Sequence, residues 1–138
     1  MPGVNAHKVN HIGIAVKDLD TVLGFYRDVL GLPVTHIDEV PEQGVRIAFL
    51  PLGDTEIELV QPTDPAGGVA SFLEKRGEGL HHICLQVDDI DAALLELAAQ
   101  GVRLIDENPK VGAQGQKMAF VHPKAAHGVL VELYELDK

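Results

Sequence analysis

His11-Ile12-Gly13-Ile14-Ala15-Val16-Lys17-Asp18-Leu19-Asp20 is echoed 71 residues on by His82-Ile83-Cys84-Leu85-Gln86-Val87-Asp88-Asp89-Ile90-Asp91. Each stretch opens on a histidine, alternates apolar with small or polar residues, and closes on acidic residues. A second echo, Ile57-Glu58-Leu59 and Val131-Glu132-Leu133, lies at an offset of 74. The chain therefore reads as two copies of one module, each with a histidine near its start and a glutamate near its end.

The elements follow in the same order in both copies. His11 to Val16 has the composition of a strand. Asp18 or Asp20 then caps a helix, in which Val22, Phe25, Tyr26, Val29 and Leu30 recur at helical spacing and Gly31 marks the end. Strands are expected around 33–39, 45–51 and 56–61, the last two joined by a Gly53-Asp54 turn. In the second copy a strand over 80–87 precedes a helix capped by Asp89. Its apolar stripe is Ile90, Leu94, Leu97 and Ala98, and Gly101 ends it. Strands around 102–105, 116–122 and 128–134 complete the copy. The order is βαβββ twice, with residues 62–79 as a Pro- and Gly-containing linker that holds a short helix around 69–75. Module one then covers about 7–61 and module two about 80–135 of a single domain, 1–138.

Two repeats are too few for a solenoid. The expected class is α+β: paired βαβββ modules forming a curved mixed sheet, helices outside and a metal cleft inside. Strand alternation supports this. Ile12, Ile14 and Val16 share one face, as do Ile83, Leu85 and Val87, and these suit the helices. His11, Glu58, His82 and Glu132 all fall on the opposite faces.

A carboxylate or imidazole on a covered sheet face is costly unless paired or bound to metal. Two histidines and two glutamates offer mixed nitrogen and oxygen ligation. That suits a divalent Co, Mn, Ni, Zn or Fe ion better than Ca and does not choose among them. Taken singly, each of the four reads better as a surface strand residue; their recurrence at equivalent places favours the site. The other histidines lack that support. His81 has the opposite strand parity, and His7, His36 and His127 sit in end or loop positions. His122 precedes Pro123 at a turn, where a structural and a cleft role are equally compatible. Glu56 shares parity with Glu58 but has no counterpart in the repeat. Cys84 reads as a buried small hydrophobe. Gly112-Ala113-Gln114-Gly115 could approach a phosphate, but a hairpin turn accounts for it equally well.

The chain has 138 residues, 46% hydrophobic but only 4% aromatic, so its core is aliphatic. One cysteine excludes an internal disulfide and fits a reducing compartment. No apolar run approaches the ~20 residues of a membrane helix, and residues 1–10 lack an apolar targeting segment, so a cytoplasmic protein is expected. A formal charge of -10 argues against nucleic-acid binding while leaving an anionic small ligand open.

These residues resemble the vicinal oxygen chelate (glyoxalase-like) superfamily and, within it, the methylmalonyl-CoA epimerase family. The similarity runs over nearly the whole chain. It is carried by Asn10-His11-Ile12-Gly13-Ile14-Ala15-Val16, Pro41-Glu42-Gln43-Gly44-Val45-Arg46, Gly79-Leu80-His81-His82-Ile83 and Pro109-Lys110-Val111-Gly112-Ala113. His122-Pro123-Lys124 and Gly128-Val129-Leu130-Val131-Glu132-Leu133 complete it. The resemblance implies the paired fold, a metal held by His11, Glu58, His82 and Glu132, a small acyl-CoA substrate and a homodimer. It also implies interconversion of (2R)- and (2S)-methylmalonyl-CoA, in propionate metabolism. Some relatives have Gln in place of Glu58, and some have a catalytic Glu where this chain has Ile47.

The expected reaction removes a proton from a carbon flanked by thioester and carboxylate and returns it to the other face. Glu132 is the first candidate base. With Ile47 unable to act, Glu42 and His122 are the candidates for a second. Arg46 and Lys117, themselves 71 apart, with Lys110 and Lys124, are candidates for the coenzyme A phosphates. Rival readings are a glyoxalase I-like isomerase, a ring-cleaving dioxygenase and a metal-free small-molecule binding protein. The four-residue His and Glu set argues against the last two.

Overall fold

The structure, a computed structural model, describes residues 3–112 and 115–136. The chain divides into two compact units. One is His11–His81; the other joins the residues up to Asn10 to those from His82 onward. Each carries one copy of the module, and the segment 62–79 belongs to the first.

In the first unit, strand β1 (Lys8–Ala15, which begins three residues before the division) leads to helix α1 (Leu19–Leu23). Asp18 is the N-cap, and its side chain accepts from the Thr21 amide at 3.3 Å. The helix widens at Gly24–Val29 into a π-turn, closed by the Leu30 amide on the Phe25 carbonyl at 2.9 Å. Gly31 ends it at φ 78°, with the Leu32 amide reaching back to the Tyr26 carbonyl.

That π-turn changes the expected apolar stripe. The wider turn rotates every later residue around the axis. Leu19 and Leu23 are the buried residues, with Val22 and Tyr26 packed beside them, whereas Phe25, Val29 and Leu30 are exposed.

Strands β2 (His36–Val40), β3 (Val45–Leu52) and β4 (Thr55–Pro62) complete the unit in the order β2-β3-β4-β1. β2-β3 and β3-β4 are antiparallel, and β4-β1 is parallel. Gly44, at φ 65°, turns the chain into β3. An added Cβ there would lie 2.7 Å from that of Asp64, so the turn admits only glycine without a shift. One sheet face packs Ile14, Val16, Ala48, Leu50, Ile57 and Leu59 under α1. On the other, Val40, Val45, Ile47 and Val60 form a smaller cluster with Phe49 and Val69, the latter from helix α2 (Gly68–Arg76).

The second unit orders its strands β5-β8-β7-β6. These are β5 (Gly79–Gln86), β6 (Lys110–Val111), β7 (Lys117–Val121) and β8 (Val131–Glu135). Helix α3 (Ile90–Ala99) is capped by Asp89, whose carboxylate accepts from the Ala92 amide at 3.0 Å. Ile90, Ala93 and Leu94 pack on Leu85, Val87, Ala119, Val121, Val131 and Leu133. β5-β8 is parallel and the β7 pairings are antiparallel, mirroring the first unit.

The strand expected over 102–105 is reduced to one bridge, Leu104 to Val121. The cause is Asp106. Its carboxylate accepts from the Phe120 amide at 2.9 Å, while the Ile105 and Asp106 amides both donate to the Phe120 carbonyl. Two residues thus oppose one, the chain bends away, and pairing resumes only at Lys110. The last strand starts at Val131 rather than 128, because His127 and Gly128 both take positive φ, 58° and 98°. No helix among the described residues is long and apolar enough to cross a membrane.

Candidate functional site

The two modules place their histidine and glutamate in the same register. In β1-β4, Glu58 stands opposite Gly13, two residues past His11. In β5-β8, Glu132 stands opposite Cys84, two residues past His82. The outcome is two equivalent pairs. His11 Nδ1 lies 3.2 Å from Glu58 Oε2, and His82 Nε2 lies 3.2 Å from Glu132 Oε1. All four residues are buried, from 1% exposed at His11 to 8% at His82. Their faces are the ones away from the helix-packed cores, as alternation leads one to expect.

Removing a carboxylate from water is expensive unless its charge is answered. Each glutamate has an imidazole beside it, and a cation shared by the two groups answers the charge. The spacing fits a shared cation. Two ligand atoms about 2.1 Å from one ion lie about 3.0 Å apart at a right angle and about 3.4 Å apart at a tetrahedral one. The donor set of imidazole and carboxylate suits a divalent transition ion.

Aromatic rings flank both pairs, and the sequence reading missed them. Phe49 is the cross-strand partner of Glu58, and Phe120 that of Glu132. The two phenylalanines are 71 residues apart, the offset of the histidines, so the signal was present. Phe120 meets the His82 ring edge-on at a centroid distance of 6.1 Å. Phe49 carries His36 stacked on it at 4.3 Å. Cys84 is buried, with its sulfur within 4.8 Å of a Glu132 carboxylate oxygen.

The sequence candidates for a second base find other surroundings. Glu42 is exposed on a single 3-10 turn, Pro41–Gln43, ahead of β3. His122 is half-buried at the end of β7, and its Nδ1 accepts from the Lys124 amide at 3.0 Å. Desolvation, then the nearby charges of Arg103 and Lys124, lower its pKa, so the neutral ring that caps this turn is favoured. Ile47 shares the Glu58 face but is buried among Val40, Val45 and Val60.

The candidate phosphate-binding cations are also accounted for. Arg46 shares strand parity with Ala48 and Leu50, and Lys117 with Ala119 and Val121, so both lie on the helix-packed faces. Lys117 Nζ contacts Asp91 at 3.1 Å, a bond that raises its pKa. Lys110 contacts Asp106 at 3.1 Å, and Lys124 is exposed. The Gly112 and Gly115 amides are spent within a turn, on Gln116 and Gly112 carbonyls; Ala113 and Gln114 lie outside the described residues. The hairpin explanation of this segment therefore holds for the two glycines.

Residues 10–120 match the family model of the glyoxalase/bleomycin resistance protein/dioxygenase superfamily. The mitochondrial methylmalonyl-CoA epimerase of Homo sapiens is 42% identical over 130 residues, covering 94% of this chain and 74% of that protein. Among solved structures, methylmalonyl-CoA epimerase from Mycobacterium tuberculosis matches with a TM-score of 0.90 at 37% identity, over 100% of this chain and 93% of that one. A variant of the Streptomyces coelicolor methylmalonyl-CoA epimerase, in complex with 2-nitronate-propionyl-CoA, gives 0.87 at 39% identity over 95% of both chains.

Proposed function

The chain belongs to the methylmalonyl-CoA epimerase family of the glyoxalase/bleomycin resistance protein/dioxygenase superfamily, and we propose that it interconverts (2R)- and (2S)-methylmalonyl-CoA. The observation that carries the reading is the duplicated, buried His–Glu pair, set at one register in both modules of a chain so similar to these enzymes.

In this reading His11, Glu58, His82 and Glu132 together hold one divalent ion. Bound there, such an ion supplies Lewis acidity toward the thioester carbonyl and carboxylate oxygens of the substrate. The protein's own groups move the proton. The carbon between thioester and carboxylate loses its hydrogen to a carboxylate, the electron pair spreads into the thioester, and a proton returns from the other face. Glu132 is one such carboxylate. Glu132 would also be one of the residues that hold the ion, and ligation would lower its basicity. The burial of both pairs, beside Phe49 and Phe120, limits the water that reaches the carbanionic intermediate. The reading includes a cytoplasmic location and a homodimer, the latter open to sedimentation analysis.

The decisive experiment is deuterium exchange into each epimer of methylmalonyl-CoA in deuterated water. Exchange and epimerisation at comparable rates, abolished by chelation and restored by Co, Mn, Ni, Zn or Fe, are expected. Failure to exchange, together with turnover of a glutathione hemithioacetal, would transfer the protein to the glyoxalase reading.

A further inference from the structure

The Glu58 face of the first unit carries a second set of titratable groups that the metal reading does not use. Across β1 to β4 that face presents His11, Gly13 and Ala15, then Glu56, Glu58 and Val60, then Phe49, Ile47 and Val45, then His36, Asp38 and Val40. Its ionisable members are thus His11, Glu56, Glu58, His36 and Asp38. The last two are a pair: His36 Nε2 lies 3.3 Å from Asp38 Oδ2, and both side chains are about half exposed. Asp38 is the cross-strand partner of Ile47, and His36 that of Phe49. Register therefore runs unbroken from Glu58 through Phe49 to His36.

We infer that Asp38 is the proton acceptor on one face of the substrate carbon and that His36 positions it. The inference rests on the epimerase reading above. Returning a proton to the opposite face calls for a second group besides Glu132. Glu42 sits outside the strand faces, and His122 Nδ1 is committed to the Lys124 amide. Asp38 is a carboxylate on the same face as Glu58, one strand beyond the apolar Ile47.

Its setting suits the task. The imidazole is held by its stack on Phe49 and by Thr35 Oγ1, 3.2 Å from His36 Nδ1. That hydroxyl also lies 3.3 Å from the Phe49 carbonyl oxygen. Two arrangements follow. When the hydroxyl donates to Nδ1, the ring is neutral and its Nε2–H faces Asp38. When it donates to the Phe49 carbonyl, its oxygen is free to accept from Nδ1–H. In either arrangement the hydroxyl and the Phe49 stack hold the imidazole in place beside Asp38. In the step itself the substrate C–H bond breaks, its electron pair passes into the thioester carbonyl, and the O–H bond forms on Asp38. In the reverse direction the same bond breaks to protonate the carbon.

The test compares Asp38→Asn, Asp38→Glu and His36→Gln with the wild-type enzyme, loaded with metal. The readouts are deuterium exchange from each epimer separately, the pH profile of kcat, and the affinity for Co measured directly. Expected are at least a tenfold loss of exchange from one epimer only in Asp38→Asn, partial recovery in Asp38→Glu, a shifted pH profile in His36→Gln, and unchanged Co affinity throughout. Exchange at the wild-type rate from both epimers in Asp38→Asn overturns the inference, as does equal loss from both or weakened Co binding. Absence of exchange in the wild-type enzyme itself would instead sink the epimerase reading, and this inference with it.

Discussion

Phe49 and Phe120 occupy one and the same place in the two modules: each is the cross-strand partner of the buried glutamate that answers a histidine. A ring beside a carboxylate limits its water and fixes where it points. Phe120→Ala removes the wall of the His82–Glu132 pair. For a half-buried phenylalanine the loss is about 2 kcal/mol, less than the ~3–5 kcal/mol of a fully buried one. Urea unfolding should show that loss, and metal affinity should fall with it. Unchanged metal affinity would show that the ring is packing alone.

Metal stoichiometry tests the quartet. Stripped protein is expected to bind one divalent ion per chain, and His82→Ala or Glu132→Ala to weaken binding at least a hundredfold, beyond the ~10–100-fold that loss of a ligand's outer-shell partner costs. Isothermal titration with Co gives both numbers. Undiminished binding in the two variants would remove the assignment.

Glu42→Gln and His122→Asn are expected to keep turnover within about twofold of wild type, since the first alters an exposed turn and the second a capping ring. Steady-state assays in both directions decide it. A tenfold fall in either would return that residue to the chemistry.

His122 also makes a pH prediction. Its pKa is lowered in the folded chain by desolvation first, then by Arg103 and Lys124. The unfolded chain therefore binds the proton more readily, and stability rises with pH through that interval. Between pH 7 and 5 wild type should lose stability as the unfolded histidine protonates. His122→Asn should lose less over the same range, measured as the urea midpoint at each pH.

Among the cations, Lys124 is exposed while Lys117 is held by Asp91. Neutralising Lys124 should raise the Michaelis constant for an acyl-CoA in a salt-sensitive way. Lys117→Ala should not, because its charge is directed to the start of α3. The reverse ranking would place the coenzyme on the helix-packed side.

The His–Glu pairs are legible in the sequence because strand parity and duplication both constrain them: a face is set by alternation, and an equivalent position by the offset. The aromatic partners were as legible in principle, but a phenylalanine in a strand reads as ordinary core until its register is known. His36 is the instructive miss. Read as an end or loop position, it opens β2, and only pairing to Phe49 reveals its face. The π-turn after Leu23 is not written in helical spacing, because an i, i+4 pattern fits Phe25, Val29 and Leu30 whether or not the turn widens. Nor does 102–105 announce its failure as a strand. That depends on Asp106, an acidic residue in a loop-like sequence, folding back on the Phe120 backbone.

The parallel pairings β1-β4 and β5-β8 have a consequence for assembly. Parallel neighbours need a crossover, so in each module the histidine lies on the first strand and the glutamate on the last, 47 residues apart in one and 50 in the other. No local hairpin can bring either pair together. Each becomes a chelating unit only when the chain between its two ends has folded, and loop closure over that distance is an entropic cost the nascent chain meets before any ligand geometry exists. On the metal reading, an ion would then bind native chains and leave partly folded ones alone. Its free concentration would set the depth of the folded well through mass action.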